Sequence, residues 1–221
     1  MKLLQQAIIV AAILLSNSLT PGVQSAPQKG AKKPAPPPTA PVAVPAKTYN
    51  IVPAESSLTV FVGKAGALSF FAHDHNIAVR SYAGRVVVPA AGAAQGSLEL
   101  DIDAKSLVVL DKVSESDRKE ITNSMNNSVL ETAKFPKITF RSVSVSNFNG
   151  SSLTVNGDLT LHGVTKRIAV PVNMSATLQL LRATGKYVLK QTDFGITPYS
   201  AAAGSIKVKN EVVINFNIVA K

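Results

Sequence analysis

The chain has 221 residues, 46% of them hydrophobic, a formal net charge of +10 and no cysteine. Without thiols, disulfide staples and thiolate chemistry are excluded, so any ordered domain depends on its apolar core. All 13 acidic residues lie beyond residue 47, where 18 basic residues leave a net +5 in scattered positions, with no dense basic run interleaved with aromatics to support nucleic-acid binding.

The opening residues carry Lys2, an apolar run from Ala7 to Leu15 and a small-residue close at Val23-Gln24-Ser25-Ala26. That layout predicts a signal peptide over residues 1–26, cleaved after Ser25 or Ala26, and hence a periplasmic or secreted protein. Nine apolar residues reach across only about half of a bilayer core, too few for a spanning anchor. No cysteine follows the run to accept a lipid anchor. Residues 27–47, PQKGAKKPAPPPTAPVAVPAK, are rich in Pro, Ala and Lys and contain no acid. Such a segment favours extended polyproline-like conformations and predicts a tether ahead of a single domain at 48–221.

Period-2 alternation governs that domain. Leu58, Val60 and Val62 share one face, and Leu98, Leu100 and Ile102 alternate with Glu99, Asp101 and Asp103. Leu153, Val155, Leu159 and Leu161 lie opposite Thr154, Asn156, Asp158 and Thr160. Ile168, Val170, Val172 and Met174 repeat the pattern, as do Val212, Ile214, Phe216 and Ile218. Each reads as a strand with one face in a core and one in water. Turn residues at Pro89–Gly96, Asn147–Gly150, His162-Gly163 and Gly185 suit antiparallel neighbours. Residues 114–135 break the alternation: Ser114 with Asp117 resembles a helix cap, Asn126-Asn127-Ser128 an interruption, and Pro136 a stop. The reading is all-β, about eight antiparallel strands with one short helical excursion. Parity alone does not separate a closed barrel from a sandwich.

Three segments carry a resemblance. VLETAKFPKITFRSVSV (129–145), NGDLTLHGVTKRIAVPV (156–172) and QTDFGITP (191–198) resemble signature blocks of the YceI-like family of secreted bacterial proteins, in the same order and spacing. The likeness extends over residues 48–221, and GDLTLHGVTK is its most specific part. It implies an eight-stranded lipocalin-like barrel around an elongated apolar tunnel. In family members with known ligands that tunnel holds a polyisoprenoid chain, such as an isoprenoid quinone or its precursor. The inward candidates for such a ligand are Val60, Val62, Phe71, Leu100, Phe140, Leu159, Leu161, Val170 and Phe216, joined by His73 and His75. No cofactor beyond a bound isoprenoid lipid is implied. Burying an isoprenoid tail is worth on the order of 25 cal/mol per Å² of apolar surface, enough to hold a lipid without charged contacts.

FFAHDHNIAV (70–79) departs from the better-known lipid-binding members. If it is a strand, His73 and His75 point the same way as Phe71, Ile77 and Val79. Three roles compete for the pair: hydrogen bonds inside the barrel, polar contacts to a lipid head, or a metal or haem site with His162. His162 reads as a turn residue tied to neighbouring backbone. Asp193 reads as an acid bonded to backbone in a tight turn, and Asp101 and Asp103 as a solvated strand face. No nucleophile elbow, phosphate loop or HExxH is present, so no enzyme motif emerges. The expected function is that of an exported carrier of an amphipathic isoprenoid lipid, in transient contact with a membrane surface suited to its mild positive charge. The runner-up is a metal- or haem-binding envelope protein. A third reading is an interaction module whose tunnel is filled by side chains. Residues 195–204, rich in Gly and Ala, are the preferred gate, ahead of the helical segment.

Overall fold

The computed structural model describes residues 46–67 and 73–221; the expected signal peptide, most of the expected tether and Phe71 lie outside the described residues. The first strand begins at Ala46, two residues ahead of the expected domain start.

Twelve strands are assigned among the described residues: β1 (Ala46–Asn50), β2 (Ser57–Ala65), β3 (His75–Val79), β4 (Tyr82–Pro89), β5 (Ser97–Asp103), β6 (Leu107–Val109), β7 (Lys137–Ser146), β8 (Ser152–Leu161), β9 (Val164–Ala176), β10 (Leu181–Lys190), β11 (Ser200–Ala201) and β12 (Ile206–Ala220). The excess over eight has a local cause. A 3₁₀ turn at Pro53–Glu55 divides β1 from β2, Arg80 and Ser81 divide β3 from β4, and a turn at Ala104–Ser106 divides β5 from β6. Each pair continues one path along the wall: β1 pairs β4 while β2 pairs β3, and β4 pairs β5 while β3 pairs β6. With β11 a two-residue bridge to β12, eight long antiparallel runs remain.

The sheet order is β1-β4-β5-β7-β8-β9-β10-β12-β2-β3-β6. It curls back on itself where β1 ends. Ile51 bridges Ala220, Asn50 N donates to Lys221 O at 2.7 Å, and Val52 N donates to Val219 O at 2.8 Å. A curled antiparallel sheet satisfies its backbone donors internally and gathers one face of every strand inward. β8 shows the consequence most plainly. Leu153, Val155, Gly157, Leu159 and Leu161 are buried, while the residues between them are partly exposed. On that outer face Asp158 meets Arg167 of β9 directly across the ladder, in a two-pronged ion pair at 2.6 and 3.0 Å.

One helix, α1 (Glu115–Ser124), packs across one end of this barrel. Its N-terminus is capped as expected, with Ser114 Oγ accepting from Asp117 N at 3.1 Å. It is not broken at Asn126-Asn127-Ser128. The chain instead widens into a π-type turn over Met125–Val129, which turns Met125 and Val129 onto the core. Pro136 then leads into β7.

Candidate functional site

The inward faces do not meet in a solid centre. They enclose a cavity of about 330 Å³, within the ~300–1,000 Å³ typical of small-molecule sites. Its lining runs the length of the barrel, from Val88, Leu153 and Met174 near the β7–β8 and β9–β10 turns to Leu161, Leu189 and Ile196 near the helix-capped end. Met125, Val129 and Leu130 close the latter end from the helical excursion. Among the described residues no Lys, Arg, His, Asp or Glu lines it; the polar side chains are Ser97, Ser142, Tyr187 and Gln191.

Val60, Val62, Leu100, Phe140, Leu159, Leu161, Val170 and Phe216 all line this cavity. Phe71 lies outside the described residues. The histidines fall elsewhere. His73 precedes β3 and is exposed. His75 opens β3 but its Nδ1 lies 2.9 Å from Asp111 Oδ2, so the ring is engaged at the wall and does not line the cavity. The expectation of two imidazoles on one inward face assumed a continuous strand through 71–79; the described strand begins only at His75.

Two of the three histidines fasten the helical excursion. At its start Asp111 also accepts from Asn76 N at 3.1 Å, and Arg118 of α1 donates to the carbonyls of Val109 and, at 2.7 Å, Asp111. At its end His162 Nε2 lies 2.7 Å from Glu131 Oε2, and the His162 ring packs 4.4 Å from Phe135. His162 and Gly163 both have positive φ, the geometry of a two-residue hairpin turn between β8 and β9. His162 is thus a turn residue as expected, but its partner is a side chain 31 positions away. Asp193 also differs from expectation. It is exposed in a 3₁₀ turn and makes no side-chain hydrogen bond among the described residues; its charge acts on Tyr187 instead. Asp101 lies on the outer face, paired with Arg141 at 2.6 Å, and Asp103 accepts from Lys105 N. Among the described residues no group of three or more His, Cys, Asp or Glu stands together as a metal donor set.

Sequence parity missed what keeps the cavity open. Gly157 of β8 and Gly185 of β10 both occupy inward positions, and a phenyl ring lies over each. A Cβ at Gly157 would collide with the Phe140 ring and sit 2.7 Å from the Arg141 carbonyl oxygen. A Cβ at Gly185, directly across the ladder from Phe216, would collide with that ring and sit 2.5 Å from the Pro171 oxygen. The glycines let two large rings lie flat against the wall instead of projecting into the lumen. A signal existed in two inward glycines on otherwise bulky faces, but using it requires the strand register.

The comparisons with known proteins agree with this geometry. A UPF0312 protein from Shewanella oneidensis is 42% identical over 73 residues, 30% of this chain and 38% of that protein. Protein YceI from Escherichia coli O157:H7 is 51% identical over 49 residues, 22% of this chain and 23% of that protein. The chain thus matches well under half the length of these curated relatives. BcnA from Burkholderia cenocepacia shares the fold with a TM-score of 0.63 at 23% identity, covering 77% of this chain and 99% of that one. A polyisoprenoid-binding domain from Saccharophagus degradans, implicated in plant cell wall breakdown, gives 0.57 at 16% identity, covering 78% and 97%. The YceI-like domain matches residues 49–220, which is the barrel from its first strand to its last, and the chain belongs to that family.

Proposed function

We propose that the protein is an exported carrier that holds an amphipathic isoprenoid lipid, an isoprenoid quinone or its precursor, inside the barrel. The observation that carries this reading is the continuous cavity with no charged side chain in its lining. Isoprene units offer nothing to hydrogen-bond, so a wall of Val, Leu, Ile and Phe matches them, and a charged group there would be left unpaired. Family membership and the polyisoprenoid ligand of the Saccharophagus domain support the same lipid class. The N-terminal 26 residues support export, and the net +5 of the domain supports transient contact with an anionic membrane. Binding needs no covalent step, and the reading assigns no catalytic residue.

Exchange goes through residues 195–204. Ile196 of this segment lines the cavity, and beyond it the segment is held to β12 by the two-residue strand β11 and by the Tyr199 carbonyl, which accepts from Val208 N at 3.1 Å. The helical excursion, by contrast, is fastened at both ends by histidine–carboxylate pairs. An engineered crosslink from Ala201 to Ile206 should slow lipid exchange. Unchanged exchange in the locked protein would remove this gate.

The reading is tested by purifying the protein from its native host, extracting it with organic solvent and analysing the extract by mass spectrometry. An isoprenoid lipid in near-stoichiometric amount is expected. An extract without any isoprenoid would count against the carrier.

A further inference from the structure

The wall of the barrel is not equally knit all round. β8 pairs β9 from Ser152 opposite Asn173 to Leu161 opposite Val164, and β10 pairs β12 from Leu181 opposite Ala220 to Lys190 opposite Glu211. Between β9 and β10 the ladder runs only from Ala176 opposite Leu181 to Asn173 opposite Thr184. Beyond it Val164–Val172 and Gly185–Lys190 face one another without register pairing, over a length of roughly 20 Å at the rise of an extended strand. The sequence contains the cause. Met174 N donates to Ser151 O on the β8 side, so the odd-numbered residues of β9 turn their backbone groups toward β10. The first of these beyond Asn173 is Pro171, which has no N–H to donate. Side chains do not bridge the seam either. Thr165 and Arg167 bond to Thr160 and Asp158 of β8, while Gln191 and Thr192 bond to Lys209 and Asn210 of β12. Behind the seam Ile168, Val170, Tyr187 and Leu189 line the cavity. Packing closes its helix-capped end: Phe194 and Ile196 are buried, and a Cβ on Gly195 between them would lie 3.8 Å from Val164 Cγ2. The outer face beside the seam is basic. β9 and β10 contain Lys166, Arg167, Arg182, Lys186 and Lys190 and no acid, and of these only Arg167 makes an ion pair among the described residues.

We propose that the β9–β10 face is the side turned to an anionic membrane, and that the lipid enters and leaves the barrel sideways there, by the parting of β9 from β10 between Pro171 and Val164. Parting β8 from β9, or β10 from β12, over the same length would break a ladder bond at about every residue. The seam has no ladder to break, and its inner lips are apolar. A tail held between the lips as they part covers surface they would otherwise show to water. Ile196 belongs to the segment 195–204, so release of that segment frees the closed end of the seam, while the short ladder at Asn173–Ala176 serves as its hinge. The exposed Lys186 and Lys190 stand beside the opening, where anionic head groups answer their charge. A lipid leaving through the capped end would instead have to displace Met125, Val129 and Leu130.

This inference rests on the carrier reading, and one experiment separates the two. The chain has no cysteine, so engineered pairs are its only thiols. Ala169→Cys with Val188→Cys spans the seam, at positions that would oppose each other if the ladder continued. Val188→Cys with Val213→Cys spans the β10–β12 ladder, where the two are directly opposed. Each full-length protein is loaded with a radiolabelled polyprenol, linked with a short bismaleimide, and mixed with vesicles of phosphatidylcholine and phosphatidylglycerol. Linking the seam should slow transfer to the vesicles at least about tenfold, whereas linking the ladder should leave it within about twofold of the unlinked protein. Lys186→Glu with Lys190→Glu should slow transfer to these vesicles and leave transfer to phosphatidylcholine alone unchanged. Equal rates with the seam linked and unlinked, or equal slowing by both links, would overturn the sideways route. Charge reversal without effect on either vesicle would overturn the membrane-facing side. Unlinked protein that takes up no polyprenol overturns the carrier reading, and the seam falls with it.

Discussion

At the scale of single residues, the three histidines mark how far side-chain chemistry can be inferred from neighbours in sequence. His162 and Glu131 are 31 positions apart and both sit in the left-handed region, so the hydrogen-bonded pair and the two strained backbones hold one another in place. His162→Ala should leave the barrel folded but raise amide hydrogen exchange across residues 115–135, with a loss of about 1 kcal/mol because Glu131 is partly solvated. Unchanged protection in that segment would show that the pair does not fasten it. A second residue-scale effect concerns Tyr82, whose phenol is raised above its ordinary value near 10, first by burial, with a hydrogen bond to Ser56 opposing. The folded state favours the neutral phenol, so its contribution is full below about pH 10 and is lost as pH rises through the higher folded value. Denaturant titrations should therefore show stability falling above about pH 10, and Tyr82→Phe should flatten that fall. An identical alkaline slope in the variant would contradict the assignment.

At the scale of elements, alternation in β2, β5, β8, β9 and β12 was legible because each has one dry face, and Ser114 and Pro136 bounded the helical excursion well. Less legible were the interruptions at Pro53–Glu55 and Ala104–Ser106, across which the inward set changes parity, from Ile51 to Leu58 and Val60 and from Leu100 and Ile102 to Leu107, a shift that the alternation on either side does not announce. The widened turn at Met125–Val129 was also hidden, because the Asn-rich composition that predicted a break is equally suited to a bulged helical turn that presents Met125 and Val129 to the core. The candidate site divides in the same way. Seven of the eight apolar lining residues lie on faces that alternation reads directly, Phe140 being the exception, whereas the partner of His75 and the rings over Gly157 and Gly185 depend on which strands become neighbours. Those rings carry a prediction. Gly185→Ala should cost about 1–3 kcal/mol, since the Phe216 ring must move into the lumen or the strands must part. Adding Phe216→Leu should recover the part of that loss due to the ring in a double-mutant cycle, while the part due to the Pro171 carbonyl remains. Additive losses measured by thermal unfolding would mean that the two positions do not meet.

At the scale of the whole molecule, the fold separates two tasks. The outer face carries the charge, as in the Asp158–Arg167, Arg85–Glu99 and Asp101–Arg141 pairs, each exposed enough to contribute solubility more than stability. The inner face carries none among the described residues and stays hollow because glycines accommodate the largest rings against the wall. A barrel built this way gives up part of the packing that would fill its own centre, and in the proposed carrier a bound apolar chain supplies the missing contacts. Occupancy of the lumen is therefore the central claim, and native mass spectrometry after loading with an isoprenoid tests it most directly. Val170→Trp places an indole in the cavity, while Val188→Trp places one on the exposed face of β10. With both variants folded by circular dichroism, the account predicts loss of the lipid adduct in the first and full retention in the second. Retention of the adduct in Val170→Trp at the wild-type level would contradict it.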